Sequence, residues 1–98
     1  MADTSYLKNY SITRQTLTNA NEEYTMTLST RSTRITISSD DLSSVLLFSF
    51  NSGGSATGKR IFQGAEYHSP GVVFGSKSVY VQSSSAGAVC VVEEWESS

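Results

Sequence analysis

Apolar and polar side chains alternate with a period of two along most of the chain, and that period predicts strands rather than helices. Tyr24, Met26 and Leu28 alternate with Thr25 and Thr27, the cleanest half-buried strand in the sequence. Residues 33–38 repeat the pattern, with Ile35 and Ile37 inward and Arg34 and Thr36 outward. Near the C-terminus Val79 and Val81 alternate with Tyr80 and Gln82. Residues 83–87 are small and polar, as a turn requires, and residues 88–95 resume at strand density, so residues 77–95 read as a closing β-hairpin.

The remaining segments are less sharply patterned. Tyr10, Ile12, Arg14 and Thr16 share one parity against Ser11, Thr13 and Gln15, which predicts a weakly buried edge strand ending near Leu17. Residues 45–50 are apolar on both parities as far as Ser49, as in a central strand covered on both faces. Residues 60–63 and 65–68 read as short strands interrupted at Gly64, and residues 72–74 as another after the Ser69-Pro70-Gly71 turn signal. Ser39, Asp40 and Asp41 suit the cap of one helical turn reaching Ser44. Residues 51–58 carry Gly53, Gly54 and Gly58 with no large side chain, which predicts a mobile loop.

About eight short strands separated by turn signals, with no crossover helix, predict an all-β chain forming a single small β-sandwich or jelly-roll-like domain. The expected organisation is an N-terminal arm over residues 1–9 and the β-sandwich domain over residues 10–98. The arm has no strand pattern but carries Tyr6 and Leu7, which with Tyr10 suit ordering against a partner surface.

Composition narrows the function classes. At 98 residues the core is modest, so oligomerisation, with a homotrimer as the expectation, would cover leftover apolar surface. Charged residues are 16% of the chain, below the roughly 25% usual for soluble domains, so polarity rests on Ser and Thr. A net charge of −2 and pI near 5.2 leave no basic stripe for nucleic acid. The N-terminus has no signal-like apolar run and the chain has no span-length one, so synthesis in a cytoplasm without membrane contact is expected. Cys90 stands alone and reads as a small buried residue.

Candidate chemistry is sparse. Gly53-Gly54-Ser55-Ala56-Thr57-Gly58-Lys59-Arg60 fits G-x-x-x-x-G-K but places Arg60 where magnesium needs Ser or Thr, and a strand-like segment follows where a helix should. Glu66 and His68 share a strand face, with Tyr67 on the other, but no nucleophile is tied to them by spacing, so they read as a surface pair. Glu93, Glu94 and Glu96 read as a solvated chain end. No catalytic residue, cofactor or metal is expected. Tyr67, Phe74, Tyr80 and Trp95 come from consecutive segments, and aligned side by side they would offer a platform for protein or sugar, although core packing is the competing role.

The run Arg34-Ile35-Thr36-Ile37-Ser38, then Phe48-Ser49-Phe50-Asn51-Ser52-Gly53-Gly54, carries a resemblance. It continues through Gly64-Ala65-Glu66-Tyr67, Gly71-Val72-Val73-Phe74, Val79-Tyr80-Val81-Gln82-Ser83 and residues 89–95. This pattern resembles small tailed-bacteriophage structural proteins, single β-sandwich modules used as capsid decoration (cement) proteins or fibre components. The resemblance implies a non-enzymatic virion part, commonly trimeric. Two partner sets are then expected. A decoration protein would bind the major capsid protein and itself through Tyr6, Leu7, Tyr10, Tyr67 and Phe74. A receptor-binding or fibre module would instead take host-surface carbohydrate on the aromatics and the glycine-rich loop.

Overall fold

A computed structural model of the protein describes residues 10–29, 32–40, 44–69 and 78–96. Eight strands run in chain order: β1 (Tyr10–Leu17), β2 (Tyr24–Thr27), β3 (Ser32–Ser39), β4 (Leu46–Ser49), β5 (Lys59–Ile61), β6 (Glu66–His68), β7 (Ser78–Ser83) and β8 (Ala88–Glu96). They form two four-stranded sheets, one ordered β1-β8-β3-β6 and the other β2-β7-β4-β5. All of the pairings are antiparallel. These orders are those of a jelly roll, in which the chain passes repeatedly from one sheet to the other.

The core lies between the sheets and is built from the alternating positions. Ile35, Ile37, Cys90 and Val92 from the first sheet face Met26, Leu46, Phe48, Val79 and Val81 from the second. Leu17, Ile35, Ile37, Leu46, Val79, Val81 and Cys90 are fully buried. Burial pushes the Cys90 thiol up to about 12, because a thiolate would have no water to solvate it. Val72 to Phe74, the turn at Asp41 and the arm with Tyr6 and Leu7 lie outside the described residues.

The closing hairpin does not form. β7 and β8 are the interior strands of different sheets: β7 pairs with β2 and β4, β8 with β1 and β3. Residues 84–87 cross the top of the sandwich instead of turning within a sheet. Gly87, at φ +83°, makes the corner, and its N–H donates to the Leu17 carbonyl at 2.8 Å. A hairpin and a crossover bury the same alternating residues, so local pattern does not separate them. The long partners β1 and β3 on either side of β8 decide.

Three further expectations shift. β1 is an edge strand, but Leu17 fixes its inward parity as that of Gln15, so Tyr10, Ile12 and Arg14 face outward and Ile12 is 44% exposed. β4 is interior to its sheet, yet among the described residues its outer side is covered only in part, and Val45 and Leu47 there are half-buried. β5 and β6 form as two short strands, but the interruption at Gly64 is a passage between sheets. They belong to opposite sheets, and the chain crosses between them at residues 62–65.

Candidate functional site

The outer face of the β1-β8-β3-β6 sheet carries the chain's densest group of aromatic and charged side chains among the described residues. Register sets its first row: Tyr10 lies opposite Trp95, and Trp95 opposite Arg34. The Tyr10 and Trp95 rings are 5.2 Å apart, and the Arg34 guanidinium stands 5.4 Å from the Trp95 ring on its other flank. The next row runs Ile12, Glu93, Thr36, His68. The Tyr10 hydroxyl donates to Glu93 Oε2 at 2.6 Å. That bond to an anion holds the Tyr10 phenol above its usual range, since ionising it would set two negative charges together.

A cleft of about 420 Å³ opens over these rows, with Arg34 and Trp95 at one end and Glu66 and His68 at the other. Alternation on β6 turns Glu66 and His68 outward and Tyr67 inward, as the spacing predicted. Glu66 Oε2 lies 3.2 Å from His68 Nε2, both side chains well exposed. Ser69 anchors the floor: its hydroxyl accepts from the Ile35 N–H at 2.9 Å, and its own N–H donates to the Ile35 carbonyl at 3.0 Å.

The aromatics do not share one platform. Tyr67 is turned into the sandwich, 4.8 Å from the Phe48 ring and 6.5 Å from Phe50. Tyr80 projects from the outer side of the other sheet, between Thr25 and Ser49. Trp95 alone of the described set reaches the cleft, and its partner there is Tyr10. Phe74 lies outside the described residues.

Glutamates at the C-terminal end are split by the pleat rather than solvated together. Glu94 shares the parity of Cys90 and Val92, is 4% exposed, and accepts the Ser29 N–H at 2.7 Å. It closes the end of the core, while Glu93 faces the cleft. The signal was present in the alternation, but a run of acids at a chain end hides it.

The glycine-rich loop is anchored after all, by a residue thirty positions upstream. Residues Ser55–Thr57 form a single 3-10 turn laid on the outer side of the β2-β7-β4-β5 sheet. The Glu23 carboxylate accepts the Gly53 N–H at 2.9 Å, the Ser55 N–H at 3.1 Å and the Ser55 hydroxyl at 2.6 Å, with the Gln82 amide 2.8 Å from that hydroxyl. Ser55 is buried as a result. A carboxylate of the chain itself thus holds donors that a P-loop presents to phosphate, and strand β5 follows where that motif needs a helix.

These bonds favour the charged form and hold Glu23 below the usual carboxylate range. The stability they add is present above the unfolded-state value near 4.5 and is lost as pH falls through the lower folded value. Glu23→Gln is therefore expected to lower the hydrogen-exchange protection of Gly53 and Ser55 at neutral pH, and to remove the loss of protection, relative to the intrinsic rate at each pH, expected of the parent in acid. Equal exchange in both proteins at pH 7 would contradict the clasp. Compared with protein-family models, with curated proteins and with solved structures, the chain matches none.

Proposed function

We propose that the protein is a non-enzymatic part of a tailed-phage virion, a jelly-roll decoration module that attaches to the capsid lattice through strand β1 and the segment leading into it. The observation that carries this reading is the outer edge of β1, which no described residue pairs. The strand pairs with β8 in unbroken register over eight residues, from Tyr10 opposite Trp95 to Leu17 opposite Ala88. Among the described residues nothing pairs with its other side. The other edge strands are short, four residues in β2 and three each in β5 and β6.

Proteins commonly blunt a long edge with a bulge, a proline or exposed charge, because its unpaired N–H and C=O groups recruit other strands. β1 has no proline and no bulge. Its one charge, Arg14, is drawn across its own sheet toward Asp40, 3.8 Å away. Ile12 stands exposed beside the edge. Such a strand suits addition of an extended partner segment, with backbone bonds giving affinity and Ile12 and Tyr10 giving selectivity. On a repeating lattice, several modest contacts of this kind add up to stable attachment. The sequence resemblance to phage decoration proteins supplies the partner, and the topology is one that recurs in capsid and lectin domains, which supports the reading by analogy of fold.

Cosedimentation with capsids that lack the protein tests it. The parent is expected to pellet with capsids and to raise their opening temperature, since it binds only the assembled state. Ile12→Lys, and separately deletion of residues 1–8, are expected to leave the thermal transition of the isolated protein within a few degrees while weakening capsid binding by about tenfold or more. Binding to host-surface glycans with no capsid binding would reject the decoration role.

A further inference from the structure

A second cavity, of about 320 Å³, opens between the sheets on the side where β5 and β6 are the last strands of their respective sheets. It is lined by Phe48, Phe50, Tyr67 and Lys59, with Asn51 and Gly58 beside them. The rings form one cluster: Tyr67 lies 4.8 Å from Phe48 and 6.5 Å from Phe50, and Phe48 meets Phe50 edge to face at 5.7 Å. Phe48 is buried, whereas Phe50 and Tyr67 are half-buried, so both keep surface open to the cavity.

Lys59 is the unexpected member of this group. Register sets it directly opposite Phe48, and cross-strand partners share a face, so it occupies an inward position of β5. Ile61, two residues on and of the same parity, lies opposite Leu46 and is buried, as a core position requires. Lys59 instead is exposed and makes no ion pair among the described residues. No carboxylate of a described residue lines the cavity. We propose that this cavity binds a small aromatic carboxylate, with its rings against Phe50 and Tyr67 and its acid group on the Lys59 ammonium.

Charge and size select that class. Aromatic walls favour a flat ring system in offset or edge-to-face contact. One positive charge with no acid beside it attracts a monoanion and rejects a cation. A phosphate, with more charge and more oxygens to satisfy, would find a single ammonium. The volume is at the small end of ligand pockets, about 300–1,000 Å³, which suits a fused two-ring acid and not an oligosaccharide. The cleft on the β1-β8-β3-β6 sheet differs, since Arg34 and His68 line it together with Glu66 and Glu93 and leave no single sign of charge. The cavity is independent of capsid attachment: β6 is the edge opposite β1 in the same sheet, so a partner on β1 leaves it open. A ligand touching Phe50 and Tyr67 ties the two sheets together and stabilises the folded protein by mass action.

Titration with 2-naphthoate, followed by NMR of the protein, tests the site. Saturable shifts are expected at the Asn51 and Gly58 amides, with a dissociation constant of about 1 mM or tighter, and none at the Trp95 indole N–H, which marks the other cleft. 2-Naphthalenemethanol keeps the rings without the charge, and cyclohexanecarboxylate keeps the charge without the aromatic rings. Each should bind about tenfold more weakly than naphthoate. Lys59→Gln should lose about tenfold for naphthoate and nothing for the alcohol, while Lys59→Arg keeps the preference for the acid. Both variants should keep the parent's melting temperature without ligand, because the side chain is exposed. Added salt should narrow the gap between acid and alcohol, since an exposed ammonium is screened. No saturation below about 10 mM, equal affinity for either analogue, undiminished binding in Lys59→Gln, or shifts at Trp95 in place of Gly58 would each overturn the proposal. So would aggregation of Lys59→Gln beside a parent that binds nothing, which would assign the lysine to guarding the β5 edge. Cosedimentation separates this site from capsid attachment: Lys59→Gln is expected to pellet with capsids as the parent does, and Ile12→Lys to bind naphthoate as the parent does.

Discussion

Phe48→Ala is expected to destabilise the protein by about 3–5 kcal/mol, the range for removing a buried phenylalanine. Phe48 is 3% exposed and joins the sheets: its ring lies 4.8 Å from Tyr67 of the facing sheet and 5.7 Å from Phe50. Truncation removes the transfer energy of the ring and leaves both neighbours facing a void that a strand backbone fixed on both sides does not collapse to fill. Domains of this size have about 5–15 kcal/mol to lose. The expected drop in melting temperature is then about 12 °C or more, taking roughly 4 °C per kcal/mol. Chemical denaturation of the two proteins measures it. A loss below about 1 kcal/mol would mean that the aromatic trio is not a bridge between the sheets.

Gly58→Ala is expected to cost about 3 kcal/mol or more, for a different reason. A methyl at this position would lie on the carbonyl of Phe48 and close to that of Gly54 at 3.2 Å. Both obstacles are backbone. Phe48 is paired with β7 as well as β5, so its carbonyl has no room to retreat. The φ of Gly58, −82°, is open to any residue, and the requirement for glycine is one of close approach. Gly53→Ala is the control. Gly53 has φ +77° and open space around its Cβ position, so only the left-handed backbone penalises a side chain there, by about 1–2 kcal/mol. Equal losses in the two variants would remove close approach as the cause.

Both predictions concern places where a local reading of the sequence falls short. Phe48 and Tyr67 are legible as inward-facing from their own strands, but nothing local places one ring on the other. The loop at residues 51–58 looks unanchored because its own side chains are small, and its anchor, Glu23, reaches it from the turn before β2. The cleft was partly legible: Glu66 and His68 share a face by spacing alone. Arg34, Glu93 and Trp95 join them only because β3 and β8 are neighbours.

What the sequence by itself determined is the set of strands and, for most of them, which side faces in. Met26, Ile35, Ile37, Phe48, Val79 and Val81 point to the core because alternation is a property of the extended backbone, set residue by residue. Only the tertiary structure decided which strand lies beside which. It sent β7 and β8 into different sheets, turned Ile12 outward through the pairing of Leu17 with Ala88, and put Glu94 inside while Glu93 faces the cleft. Those outcomes depend on contacts between residues far apart in the chain, where several arrangements bury the same alternating side chains. The arrangement that also gives the long strands β1, β3 and β8 full-length partners prevails, since each added pair satisfies backbone groups that would otherwise be left without bonds.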